Sequence, residues 1–189
     1  MDAKVSTESG PPAKPVVLTP VLLKSGMNST QDEMADENVS QNDQEFDEMS
    51  FSEKVRACLE AAGYNYEFFE EDNTISVNYW GNNSNELKMY IISNENENGE
   101  AIVKFLSASL GTFDEDSFLN GIKICNELNQ KYNWVKFFIY EDYSLLCSYD
   151  EKYSDNSILN ATDCIQMVLN IFAIIDDAYP DVMRGRWGQ

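Results

Sequence analysis

The chain contains no histidine, and its 189 residues carry only 13 Lys and Arg against 33 Asp and Glu, a formal charge of −20. Without imidazole, the usual general base is missing. So are the commonest metal ligand and the Ser-His or Cys-His nucleophile pair. The shortage of cations disfavours phosphate backbones and anionic lipid, so neither nucleic acid nor membrane is an expected partner. No Gly-rich phosphate loop occurs. The four cysteines, at 58, 125, 147 and 164, are spaced 67, 22 and 17 residues apart and form no CxxC or zinc-ligand pattern. Each lies in an apolar periodic stretch and reads as a small buried hydrophobe in a reducing compartment. No run approaches the ~20 apolar residues of a membrane span. The apolar run Val16–Leu23 is broken by Pro20 and follows a Pro-rich start, so it does not read as a secretory signal. A cytoplasmic protein without metal or other cofactor is the expectation.

Proline is scarce and unevenly placed. Residues 1–48 hold four of the five, with a single aromatic, Phe46, and ten acidic groups against three Lys. Such a composition buries too little apolar surface to offset its ordering entropy, and predicts a disordered acidic tail. The island from Val16 to Leu23 reads either as a docking peptide or as unselected tail.

From residue 49 the texture is that of one α+β domain. Ser50 and Glu53 form a capping box, and Phe51, Val55, Cys58, Leu59 and Ala62 follow at helical spacing up to Gly63, placing a helix over about 51–62. Alternation then marks strands at 66–69, 74–80, 87–92 and 101–109, with Asn98-Gly99 as a tight turn. A second helix opens after Thr112, with Asp114, Glu115 and Asp116 complementing its positive end and Phe118, Leu119, Ile122, Cys125 and Leu128 as its buried stripe. Strands at 134–140 and 143–149 form a hairpin. A last helix spans about 161–178 and is expected to stop before Pro180. The order α-β-β-β-β-α-β-β-α predicts an antiparallel sheet with helices mainly on one face.

Lys88, Lys104 and Lys136 each fall mid-strand. Lys rarely points into a core, so they mark the outward face. By period two, that face also carries Tyr90, Ile92, Ile102, Leu106, Trp134, Phe138 and Tyr140. Leaving seven such side chains in water forgoes on the order of 10 kcal/mol as an upper bound. The face is therefore expected to meet a protein partner, a second copy in a homodimer, the tail or the last helix.

Other motifs point to surface structure. Asn94-x-Asn96-x-Asn98-Gly99 matches half an EF-hand loop, but Phe105 stands where the twelfth-position Glu belongs, so a polar hairpin is expected. Asp176-Asp177, Glu141-Asp142 and Glu70-Glu71-Asp72 read as solvated acidic surface. Arg184-Gly185-Arg186-Trp187-Gly188 reads as a frayed terminus.

Residues 50–181 resemble the YbjN-like family, bacterial sensory-transduction regulators with a fold like that of type III secretion chaperones. The resemblance rests on Leu119-x-x-Ile122-x-x-Cys125-Asn126-x-Leu128-Asn129, on Lys136-Phe137-Phe138-Ile139 with Leu145-Leu146-Cys147, and on Asp176-Asp177-x-Tyr179-Pro180. It implies a non-enzymatic, chaperone-like or regulatory protein binder with no catalytic residues. An acidic inhibitor mimicking DNA is the alternative that the charge suggests. A carboxylate-only enzyme is a third reading.

Overall fold

The computed structural model describes residues 48–187. The expected disordered tail and its Val16–Leu23 island lie outside the described residues, Glu48 apart.

Helix α1 (Phe51–Ala61) starts where its capping box predicts. The Ser50 hydroxyl accepts from the Glu53 N–H, and the Glu53 carboxylate accepts from the Ser50 N–H at 2.8 Å. Gly63, at φ +76°, turns the chain out of the helix. Strands β1 (Tyr66–Phe69), β2 (Thr74–Trp80), β3 (Glu86–Glu95) and β4 (Ala101–Ser107) follow as an antiparallel meander. The half EF-hand motif is a polar hairpin: the Asn96 side-chain oxygen accepts from the N–H groups of Asn98 and Glu100. A two-residue strand, β5 (Gly111–Thr112), leads to α2 (Phe118–Lys131). Then come β6 (Lys136–Ile139), β7 (Ser144–Tyr153) and α3 (Ile158–Trp187). The order across the sheet is β1-β2-β3-β4-β7, with β6 on the far side of β7 and β5 prolonging the line of β4. This is an α+β antiparallel sheet with three helices, consistent with the expected chaperone-like fold.

The core lies on one side of the sheet. Leu87, Met89, Ile91, Val103, Phe105 and Phe137 point inward and are buried with Phe51, Val55 and Leu59 of α1, Ile124 and Leu128 of α2, and Val168, Ile171, Phe172 and Ile175 of α3. Phe51 stacks on Tyr153 at 5.1 Å and Tyr79 on Phe172 at 5.0 Å, tying α1 and α3 to the sheet.

Three expectations about the helices need correction. The acidic run 114–116 precedes α2 instead of forming its first turn. Asp114 and Ser117 are locked in reciprocal hydrogen bonds, and the helix begins one residue later. The buried stripe of α2 is Gly121, Ile124, Cys125 and Leu128, whereas Leu119 and Ile122 are exposed. Gly121 lies in that stripe, where a Cβ would sit a tight 3.0 Å from the Ile139 side chain and 3.1 Å from Phe113.

The third correction concerns Pro180, which does not end α3. The helix runs on through the supposedly frayed Arg184 and Arg186 to Trp187. A proline inside a helix removes one N–H and leaves the carbonyl four residues back without its donor. That carbonyl is Asp176, and the Asn83 side-chain amide donates to it at 3.1 Å. The same loop encloses the Asp176 carboxylate, which accepts from the N–H groups of Asn82, Asn83 and Ser84 and from the Ser84 hydroxyl, all within 2.9–3.0 Å. A Cβ at Gly81 would lie 1.9 Å from that carboxylate, so only glycine fits. Asp176 is 6 % exposed; of this pair only Asp177 is solvated surface, as are Glu70, Glu71, Asp72, Glu141 and Asp142, and Asp177 pairs with Lys131 at 3.0 Å.

By length and composition α3 is apolar enough to cross a membrane, with a mean hydropathy of 1.7 over 18 residues. No uninterrupted apolar run marks this span in the sequence. Its apolar stripe, from Ala161 to Val182, is packed into the domain core.

Candidate functional site

The side of the sheet away from the helices is defined by strand register. Tyr90 of β3 lies opposite Leu106 of β4, Ile92 opposite Lys104, and Asn94 opposite Ile102. On β7, Ser148, Asp150 and Lys152 continue those three rows in turn, and Ser148 leads to Lys136 of β6. Lys104 and Lys136 are exposed and Lys88 half-buried, on the side that faces no helix core.

Five of the seven expected face residues belong to this surface. Ile102 is 55 % exposed, while Tyr90, Ile92, Leu106 and Phe138 are half-buried among their neighbours. The other two lie beyond the ends of β6. Trp134 precedes the strand and meets Tyr149 edge-on at 5.2 Å, and Tyr149 shares the inward register of Phe105. Tyr140 is exposed in the hairpin turn, its N–H donating to the Ser144 carbonyl. Strict alternation from Lys136 put both on the face. The strand is only four residues long, so the alternation stops before reaching them.

Sequence reasoning missed Phe69, Trp80 and Leu146. Phe69 of β1 is 44 % exposed and joins the Ile92 row through Thr74. Leu146 stands opposite Phe138. Thr74 and Ser76 are outward by register yet buried, being small side chains between large ones.

This surface carries a charge balance unlike that of the chain. Lys88 pairs with Glu67 at 3.2 Å and Lys152 with Glu100 at 2.8 Å. Lys104 sits opposite Asp150 in register. Both ion pairs are solvent-exposed, so they contribute little to stability. Their effect is to leave an apolar face with interleaved charges on an otherwise strongly acidic molecule.

The two edges of the sheet differ. Ladder bonds alternate sides along each strand. The outer edge of β6 therefore exposes the main-chain groups of Phe137, and the Asn129 side chain takes both: its oxygen accepts from the Phe137 N–H at 2.7 Å and its amide donates to the Phe137 carbonyl at 2.9 Å. On β3, the Lys88 carbonyl accepts from Ala108, so the even-numbered residues of β3 bond toward β4 and the odd ones toward β2. Carried across β2, the same alternation turns the main-chain groups of Tyr66 and Phe68 away from the sheet. Among the described residues nothing pairs with them.

The remaining chemistry is structural. The cysteines are free thiols. Burial pushes Cys125 up to about 11 and Cys147 up to about 12, and it raises Cys58 and Cys164 as well. All four are protonated at neutral pH and poorly nucleophilic. For Asp176 burial acts to raise the carboxyl, but the N–H groups of Asn82, Asn83 and Ser84 with the Ser84 hydroxyl outweigh it and hold the group below the ordinary range. Lys54 is buried and donates to Asn156, whose amide in turn donates to Glu95, which also accepts from the Phe51 N–H. That network fastens the start of α1 and has no signature in the sequence. No cluster of metal-ligating side chains occurs among the described residues. An open depression lies at the β1–β2 turn, lined by Phe69, Glu70, Glu71 and Asp72.

The residues that carried the family resemblance thus have structural work: Asn129 seals an edge strand, and Asp176 with Pro180 forms the clasp on α3. No curated protein matches the chain. A family model does match, over residues 52–182: YbjN, described as "Putative bacterial sensory transduction regulator". That span takes in the sheet and nearly all of the three helices, and the chain belongs to the YbjN family.

Proposed function

We propose that this YbjN-family chain is a regulatory protein-binding module that docks a partner on the outward face of its sheet. The observation that carries the reading is one-sidedness: all three helices contribute to a single core on the inward face, while Ile102, Phe69 and their half-buried neighbours form an apolar surface on the other. Apolar side chains left exposed or half-exposed together on one face mark interaction sites, and interface centres are depleted in net charge. A cytoplasmic setting fits the free thiols. The negative charge elsewhere keeps the complex soluble and repels unrelated anionic surfaces. A DNA-mimicking role would need uninterrupted rows of carboxylates, whereas Glu67 and Glu100 on this face are each paired with a Lys.

The test is co-purification with the full chain and with two double variants. Ile102→Ser with Phe138→Ser alters the face. Leu119→Ser with Leu159→Ser alters exposed apolar residues on the helices and serves as control. A protein bound by the parent and by the helix variant, but lost with the face variant, supports the reading. Equal retention by both folded variants contradicts it.

A further inference from the structure

We infer that the β1 edge receives an extended segment of a partner protein as an added strand, with a cationic side chain beside Glu67 and an apolar one beside Phe69. The inference deepens the docking reading of the outward face and rests on it. Three observations carry it. The first is the asymmetry of the edges: Asn129 occupies the Phe137 main-chain groups on β6, while those of Tyr66 and Phe68 on β1 face outward and are unpaired among the described residues. An unpaired row of N–H and C=O groups is a template for another strand.

The second is continuity. Phe69 extends the apolar row of Ile92 to this edge, so a strand laid on β1 adds its outward side chains to the same face. The third is charge. Glu60, Glu67, Glu70, Glu71 and Asp72 lie on or next to β1, against Arg56, which stacks over Phe68 at 4.2 Å, and Lys88. A second copy of the chain would bring the same carboxylates against themselves across a two-fold axis, and like charges facing one another across strands destabilise the pair. The edge therefore selects a cation-bearing segment over its own copy. Backbone bonds supply the affinity, and the Glu67 and Phe69 side chains supply the selectivity.

The probe is a blocked pentapeptide, lysine-threonine-valine-threonine-lysine, which places lysine and valine on one side. Amide exchange is followed by NMR in the full-length protein. The expected result is that millimolar peptide slows exchange of the Tyr66 and Phe68 amides about tenfold, and that N-methylating the peptide's threonine and valine nitrogens abolishes the effect. Glu67→Lys, a substitution at an exposed position, should weaken binding about fivefold, the worth of one cross-strand charge pair. Absence of slowing at Tyr66 and Phe68 overturns the inference, as does equal binding of the N-methylated peptide. Perturbation confined to Ile102, Leu106 and Phe138 overturns the edge as the site and leaves the face as a docking surface intact.

Discussion

The two faces of the sheet are built from the same strands, residue by residue in alternation, yet they are finished differently. On the inward face the helices close over one core. Aromatic pairs join the sheet to the helices, and polar clasps hold the helices at the places where regular structure would leave a main-chain group unpaired. Asn83 serves the carbonyl that Pro180 frees, and Asn129 serves the edge of β6. On the outward face no such device covers Ile102, which stands in solvent beside Val103, which is fully buried. The difference teaches that the inward face holds the fold together, while the outward face leaves Ile102 and Phe69 in solvent, as the proposed docking role requires.

Breaking the clasp should have the largest effect. Asp176→Asn keeps the shape and leaves a carbonyl oxygen for Asn83 and Ser84, but it turns an NH2 toward the Asn82 N–H, which loses its acceptor, and removes the negative charge from the other three bonds. A loss of about 3 kcal/mol is expected from denaturant unfolding. Gly81→Ala should cost a similar amount by forcing a methyl into the carboxylate.

Acid should act through the same group. A carboxyl held below its ordinary value stabilises the fold above about pH 3.9, and that contribution disappears as pH falls through the lower folded-state value. Unfolding measured from pH 6 down to about pH 2 should therefore be less steep in Asp176→Asn than in the parent. An unchanged slope would show that Asp176 is not the anchor.

Asn129→Ala sharpens the contrast between edges. It removes both partners of Phe137 and should cost about 1–2 kcal/mol. It should also slow-exchange-label poorly at Phe137, whose amide would then exchange like those of Tyr66 and Phe68. Smaller still should be the stability effect of Ile102→Ser with Phe138→Ser, at about 1 kcal/mol, although this variant is the one expected to lose its partner.

Much of the fold was legible because its signals are local. The Ser50–Glu53 capping box, the alternation through Ile75, Val77 and Tyr79, and the Asn98-Gly99 turn each dictate structure within a few residues. The orientation of Lys88, Lys104 and Lys136 followed from the cost of burying an ammonium group. What escaped depends on contacts between distant segments. Pro180 is a helix breaker by itself, and Asn83, on a loop between β2 and β3, supplies the donor that its missing N–H would have given the Asp176 carbonyl. The burial of Asp176 has the same cause. Leu119 and Ile122 looked like core because a count of apolar residues passes over Gly121, which is the residue that faces the core at a close approach to Phe113 and Ile139. At the candidate site, alternation found the residues within strands and failed at Trp134 and Tyr140, where the strand had already ended.

The most direct test compares neighbours on one strand. Val103→Ser and Ile102→Ser exchange a β-branched residue for the same small polar one, on opposite sides of β4. Equilibrium urea unfolding of the full chain should show a loss of about 3 kcal/mol for Val103→Ser and less than about 0.5 kcal/mol for Ile102→Ser. Comparable losses at both positions would mean that the outward side is covered in the isolated protein, and would contradict an open docking face.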